Sequence, residues 1–427
     1  MFALLPCMAC VLPGLGEDDG AGESGSASAS ASTTASSTGT ATEASSSGES
    51  GSDSVADSGE SGSVETTGGT TGGDPLATCS DASLYMGNPF FDGELQGWNP
   101  NGQGLRADPP LRSRHLANFG GQLAIDTQYE VWGVDGDQVR RIAGNENEGE
   151  TQYQPSGACE DVRLIIGAGV AGTPDGRVFV ADRRGNGVIE LSDPLGNCTA
   201  QPIAGNPEVT IDLDITEDVA AKGDLDGPGL EARFYSVERP TADADGNVFV
   251  FDTGNRKLKR IADDAEHTVT TLLDYGEAAP FASTAMGGKV YMTGTTSSGD
   301  FLWAVDAETG EVDELFEGRG IFAEIDSHTQ ATLFAIESDG VDLFIGSGQG
   351  YIFRVSTQGQ PLGVVAGYGT AIDFPDIDLE APIPLDQLPI RSYATAEAGL
   401  VRVGDDLMFT NVNAGIGFHV WSIHCGG

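Results

Sequence analysis

The sequence predicts an all-β protein: a six-bladed β-propeller carried behind a disordered Ser/Thr/Gly/Ala-rich tether. Three observations predict it. Past Asp74, short apolar runs alternate with Gly, Asp and Asn turns, and no long stretch has a 3.6-residue period. A strand–turn–strand pattern recurs six times, each copy with room for four short strands, as in a propeller. The stretch Glu17 to Gly73 is almost wholly Ser, Thr, Gly, Ala and scattered acids, which cannot bury enough apolar surface to offset the entropy of ordering.

Taken in order, residues 1–16, MFALLPCMACVLPGLG, are apolar and uncharged and resemble the hydrophobic part of a secretion signal, without the basic start such signals carry. Ala9-Cys10 resembles the small-residue-then-Cys end of a lipobox, so Cys10 is the expected lipidation site, with plain secretion the alternative. Residues 17–73 then form a tether that would hold a domain roughly 40 Å from its anchor, or equally a mucin-like stalk. Residues 74–427 are the expected propeller.

Charge separates these parts. The 427-residue chain has 65 acids against 21 bases, a formal charge of −44. Ten acids lie on the tether, leaving −34 on the remainder. So negative a surface repels phosphate backbones and anionic lipid, excluding a nucleic-acid partner and leaving the membrane reachable only through a lipid anchor. No apolar run reaches the roughly 18 residues of a membrane span.

Within the propeller, Gly246–Ile261 aligns with Gly176–Leu191, each a strand, an Asp-initiated turn (Asp252, Asp182) and a second strand. Weaker copies are Val131–Ile142, Gly288–Thr293 with Phe301–Val305, Gly340–Ile345 with Tyr351–Val355, and Gly404–Thr410 with Phe418–Ile423. Anchored at Tyr129, Gly176, Gly246, Gly288, Gly340 and Gly404, the spacings are 47, 70, 42, 52 and 64. The long gaps hold acidic, Pro-rich insertions at 207–229 and 373–389.

Gly229-Leu-Glu-Ala-Arg-Phe234, Pro240, Asp243, Gly246–Asp252, Asn255–Ile261 and Val269–Leu272 together resemble one complete NHL repeat. Ile142-Ala-Gly144, Ile203-Ala-Gly205 and Val365-Ala-Gly367 resemble the strand-ending "AG" of such repeats. The resemblance spans about residues 110–425. It implies a six-bladed propeller, and a fold that hosts binding modules, scaffolds and a minority of enzymes says little about chemistry.

A propeller must close its ring, since an open sheet edge invites aggregation. Either Leu84–Trp98 or the final strand Phe418–Ile423 is the expected clasp. Four cysteines of the folded part allow three pairings; Cys159–Cys198 with Cys79–Cys425 is favoured, the latter locking the ring. Gly87–Trp98 also resembles the first strand of a jelly-roll carbohydrate module, but too few residues separate it from the first repeat for eight strands, so it reads as a strand leading into the ring.

Candidate chemistry is sparse. His115, His267, His328, His419 and His424 lack zinc-site spacing, and His419 and His424 fall on opposite sides of one strand. Asp182 and Asp252 recur at one repeat position, as turn-forming carboxylates that accept backbone N–H groups two residues on do. Asp243, Asp245 and Asn247 have the alternate-oxygen spacing of a calcium loop, and Asp373, Asp376, Asp378 and Glu380 form a second cluster; neither has the twelfth-position Glu of an EF-hand. Gly167–Gly172 matches a dinucleotide fingerprint by letters but leads into a strand, not a helix.

The expected function is therefore that of an exported, monomeric binding or scaffolding propeller, without a cofactor unless calcium. Its contact face carries the long loops, and its partner is a cationic or neutral protein, peptide or glycan. The alternatives are a calcium-dependent lactonase- or lyase-like enzyme working in the central funnel, and a structural envelope or spore-coat component.

Overall fold

The computed structural model describes residues 79–86, 103–105, 114–127, 129–144, 153–207, 222–318, 332–367, 381–390, 399–413 and 417–426. The expected signal, Cys10, the tether, the strand reading of Gly87–Trp98 and the 373–380 carboxylates lie outside them.

Six antiparallel sheets follow one another along the chain. From the innermost strand outward, blade 1 is His115–Phe119, Gln122–Asp126, Glu130–Asp135 and Gln138–Gly144; blade 2 is Gly167–Gly172, Val178–Asp182, Gly187–Ser192 and Thr199–Ala204. Blade 3 is Val237–Ala242, Val248–Asp252, Lys257–Ile261 and Val269–Asp274; blade 4 is Ala279–Met286, Lys289–Thr296, Gly299–Asp306 and Val312–Gly318. Blade 5 is Leu333–Ser338, Asp342–Ser347, Tyr351–Ser356 and Pro361–Gly367. Blade 6 takes Leu400–Val403, Asp406–Asn413 and Gly417–Cys425 from the C-terminal end and Cys79–Met86 from the other end as its fourth strand, whose far edge pairs with the short strand Ile383–Pro384.

The blades are held face to face. Six apolar clusters each lie between successive blades, and the ring closes where Met86, Val401, Met408 and Val420 of blade 6 meet Leu116, Leu123 and Trp132 of blade 1. This arrangement explains the hydrophobic pattern. The second strands, VFVAD in blade 2 and VFVFD in blade 3, are buried along their whole length because a neighbour covers each side. Outer strands such as Val312–Gly318 are largely uncovered and read as polar.

Closure pairs Cys79–Met86 antiparallel with Gly417–Cys425, placing Cys79 opposite Cys425; the expected final strand takes part, whereas the closing strand from the other end starts at Cys79 and shares only Leu84–Met86 with the expected Leu84–Trp98 segment. Cys79 and Cys425 are disulfide-bonded, as are Cys159 and Cys198 of blade 2. Two disulfides fit an oxidising, extracellular compartment.

One repeat assignment is corrected. Gly144, Gly205 and Gly367, the glycines of the three "AG" ends, all have positive φ. A Cβ on any of them would sit 2.1–2.4 Å from the carbonyl oxygen of Tyr129, Asn186 or Gly350 respectively. Tyr129 is thus equivalent to Asn186, the residue before a third strand, and not to Gly176, two residues before a second. The first anchor belongs at Gly120, six residues before Asp126 as Gly176 is before Asp182, and the first spacing is 56, not 47. The hairpin Val131–Ile142 is the outer half of its blade.

Candidate functional site

The innermost strands of all six blades line a central channel, which narrows to two connected volumes. Neighbouring strands run antiparallel, so the end at which the innermost strands begin also carries every turn between second and third strands; this is the upper face. Its end of the channel holds about 60 Å³ among His115, Gly169, Arg239, Phe281, Ser283, Ala335 and Gly399. Below it lies a more polar space of about 150 Å³ bounded by Asn118, Thr241, Thr284 and Glu337.

Bulges shape the upper end. In blades 2 to 5 the innermost strand slips register near its start, at Ala168-Gly169, Arg239-Pro240, Phe281 and Phe334. A bulge re-aims the side chain it carries. Arg239 is the charged residue of this set, and it pays with a φ of +49°, a region costly for a bulky side chain. Its backbone fits because the neighbouring blade has Gly169, whose added Cβ would meet Pro240 Cδ at 2.8 Å.

The Arg239 guanidinium donates through Nη1 to the Pro280 carbonyl of blade 4, and Nη2 stands 4.0 Å from Glu238 Oε2. Glu238 itself accepts Arg183 Nε at 2.9 Å on its other oxygen. Arg183 comes from the blade 2 turn, where Nε also donates to Ser236 Oγ at 3.0 Å. Two guanidinium groups therefore share one carboxylate. The Arg239 side chain is 14% exposed, and burial holds its pKa below the ordinary arginine value. Arg256, on the blade 3 turn, pairs with exposed Glu277. Tyr275 follows blade 3 on the same face, edge-to-face with Phe251 at 6.2 Å. Its buried hydroxyl has no hydrogen-bond partner among the described residues, and burial raises its pKa. A chain of charge −44 thus gathers three of its 21 bases around one rim.

On the opposite wall, His115 Nδ1 lies 2.9 Å from Asp126 Oδ2, and Asp126 is fully buried. Asp126 ends the second strand of blade 1, the place held by Asp182 and Asp252 in blades 2 and 3. Sequence comparison missed it because the first copy was aligned one strand late; the "AG" at Gly144 was the signal that Val131–Ile142 comprises third and fourth strands.

The two expected turn carboxylates do more than form turns. Asp182 accepts the N–H of Arg184, two residues on as expected, that of Gly185, and those of Ile165 and Ile166 at 2.7 and 3.2 Å. Asp252 accepts Tyr235 N–H at 2.7 Å and Asn255 Nδ2 at 2.8 Å. Each ties the segment entering its blade to the turn of the same blade, and neither faces the channel rim. Burial raises both, Asp182 to about 6.

The calcium-loop residues lie in the turn between the first two strands of blade 3, on the lower face. Asp243 Oδ1 accepts the N–H groups of Asp245 and Asn247, and Oδ2 accepts Asn247 Nδ2 at 2.8 Å. Asn247 Oδ1 in turn accepts Arg260 Nη2. The side-chain oxygens of Asp243 and Asn247 are engaged with the loop's own donors and an arginine, and no group of three or more His, Cys, Asp or Glu fit to hold a metal occurs among the described residues.

Part of the first acidic insertion is structural. Ala232 and Phe234 are buried between blades 2 and 3, and Lys259, fully buried, lies 3.0, 3.3 and 3.4 Å from Asp224, Asp226 and Asp252. His419 is buried within the last blade, whereas His424 lies between Ser83 and Asp406.

No family model matches the sequence, and no curated protein matches it. Solved structures do resemble the fold. A structural-genomics protein of unknown function from Bacteroides thetaiotaomicron shares 13% identity at a TM-score of 0.51, over 80% of this chain and 76% of that one. A putative gluconolactonase (12% identity, TM-score 0.44, 81% and 92% covered) and a streptogramin B lyase (11%, 0.42, 73% and 93%) are more distant in shape. Identities this low establish a shared propeller fold alone.

Proposed function

We propose that this is an exported, NHL-like propeller, held at the cell surface through Cys10, that binds a protein, peptide or glycan without transforming it. The observation that supports this most is the make-up of the channel rim. Among the described residues the innermost strands offer Gly, Ala, Leu, Ile, Pro and Ser at most rim positions; of their two carboxylates, Glu238 is held by Arg183 and Glu337 borders the lower space, where burial raises its pKa to about 8. A hydrolytic or lyase site in the funnel would need two or more carboxylates converging with a metal or an unsatisfied acid. The same rim alters the expected partner. Arg183, Arg239 and Arg256 stand at the upper ends of blades 2 and 3 with Glu238 and Glu277 as their carboxylate partners, and the reading is that the ligand offers a negative group to Arg239 at the channel.

The test offers the full chain to immobilised peptide pools and glycan arrays and, in parallel, assays lactone hydrolysis with and without calcium. Saturable retention of one ligand class with no turnover is the expected result. Calcium-dependent turnover that survives purification would overturn the reading in favour of the funnel enzyme.

A further inference from the structure

We infer that the upper channel is a socket for the C-terminal carboxylate of a peptide, with Arg239 as its anchor. The inference rests on the binding reading above and specifies what binds.

The first step is the charge at the rim. Glu238 is engaged at 2.9 Å by Arg183, leaving Arg239 a 4.0 Å contact to the same carboxylate and a neutral carbonyl on blade 4. Among the described residues, Arg239 has no carboxylate nearer than 4.0 Å, at a side chain 14% exposed. Desolvating a charge without pairing it is costly, so an arrangement the chain has not neutralised is complementary to an incoming anion. Guanidinium matches carboxylate geometry with parallel N–H donors, and Nη1 is already fixed by the Pro280 carbonyl, which orients the remaining donors.

The second step is the strain. Arg239 keeps a left-handed backbone within a bulge, whereas the corresponding bulges hold Ala-Gly, Phe and Phe. Strain held at a concave site, on a residue that need not be charged for the fold, points to use of the side chain. Ser236, whose hydroxyl meets Arg183, is likewise left-handed at φ +67°.

The third step is size. The upper space of about 60 Å³ is small against a whole peptide or oligosaccharide, so it takes the end of a ligand rather than its length. A peptide C-terminus is a narrow, unbranched end, and Phe281, Leu116, Ile336 and Leu400 around it supply apolar contact for the last side chain.

The experiment uses the full chain and random octapeptide pools synthesised twice, once with a free C-terminal carboxylate and once with a C-terminal amide. Affinity selection read by mass spectrometry should retain the acid pool at least about tenfold over the amide pool, the loss expected for one charge-assisted contact. Arg239→Gln should abolish that ratio, and Arg239→Lys should restore part of it. Thermal melts of both variants separate this from a role in which Arg239 merely ties blade 3 to blade 4, because that role would lower stability without changing the acid-to-amide ratio. Equal retention of both pools overturns the carboxylate socket while leaving the binding reading intact. Retention of oligogalacturonate in place of peptides overturns the peptide assignment. Retention of neither, with lactone turnover, overturns both readings.

Discussion

Removing the Cys79–Cys425 bridge should cost more stability than removing any other single covalent feature of the fold. The bonded residues are 346 positions apart in sequence, against 39 for Cys159–Cys198. In the chain-entropy description, opening the larger loop restores about 6 kcal/mol of freedom to the unfolded chain and opening the smaller one about 4 kcal/mol. The native ring adds a second consequence. Cys79–Met86 is the fourth strand of the last blade and buries Ala82 and Met86, so once untied it can peel from Gly417–Cys425 and expose a sheet edge. The paired variants Cys79→Ser/Cys425→Ser and Cys159→Ser/Cys198→Ser would be compared by guanidinium unfolding and by limited proteolysis. The first should unfold at lower denaturant, and cleavage should begin upstream of Leu84. If the 159/198 pair proves more damaging, or if the 79/425 pair loses under about 1 kcal/mol, the closure argument fails.

Three further outcomes follow from buried groups. Burial raises the Glu337 pKa from 4.5 to about 8, so the folded chain keeps a proton there that the unfolded chain has lost; stability should be full below about pH 4.5 and fall as pH rises through about 8, by up to about 5 kcal/mol. Glu337→Gln should flatten that decline in a pH series of unfolding midpoints. Lys259→Met strands Asp224, Asp226 and buried Asp252 without their shared ammonium and should cost about 3 kcal/mol in denaturant unfolding, with Asp252→Asn in the same chain recovering part. Gly367→Ala places a Cβ 2.1 Å from the Gly350 carbonyl at φ +119° and should lower stability by more than about 1 kcal/mol, measured the same way, while Ala at solvent-facing Gly340 should cost less.

How far the sequence could be read depended on what each signal measures. Turn glycines, the Asp182 and Asp252 positions and the "AG" strand ends are local, because they answer to backbone geometry within one blade, and they were legible. The slip at the first copy shows the limit: Val131-Trp-Gly-Val-Asp135 and Gly176–Asp182 look alike because both are apolar runs ending in Asp, although one is a third strand and the other a second. Arg239 was invisible for a different reason. Nothing next to it in sequence marks it, and its partners Pro280, Arg183 and Gly169 come from blades 4 and 2.

The sequence by itself determined the all-β class, the six repeats, the acidic balance and which cysteines lie near the chain's closing strands, since composition and short-range patterning carry those. Only the tertiary structure decided which ends of the innermost strands converge, and therefore that Arg239, Arg183 and Glu238 meet at one rim of an acidic chain. Closing a ring brings together one strand end from each of six blades, and what six residues some 50 positions apart make jointly is not written in any one of them.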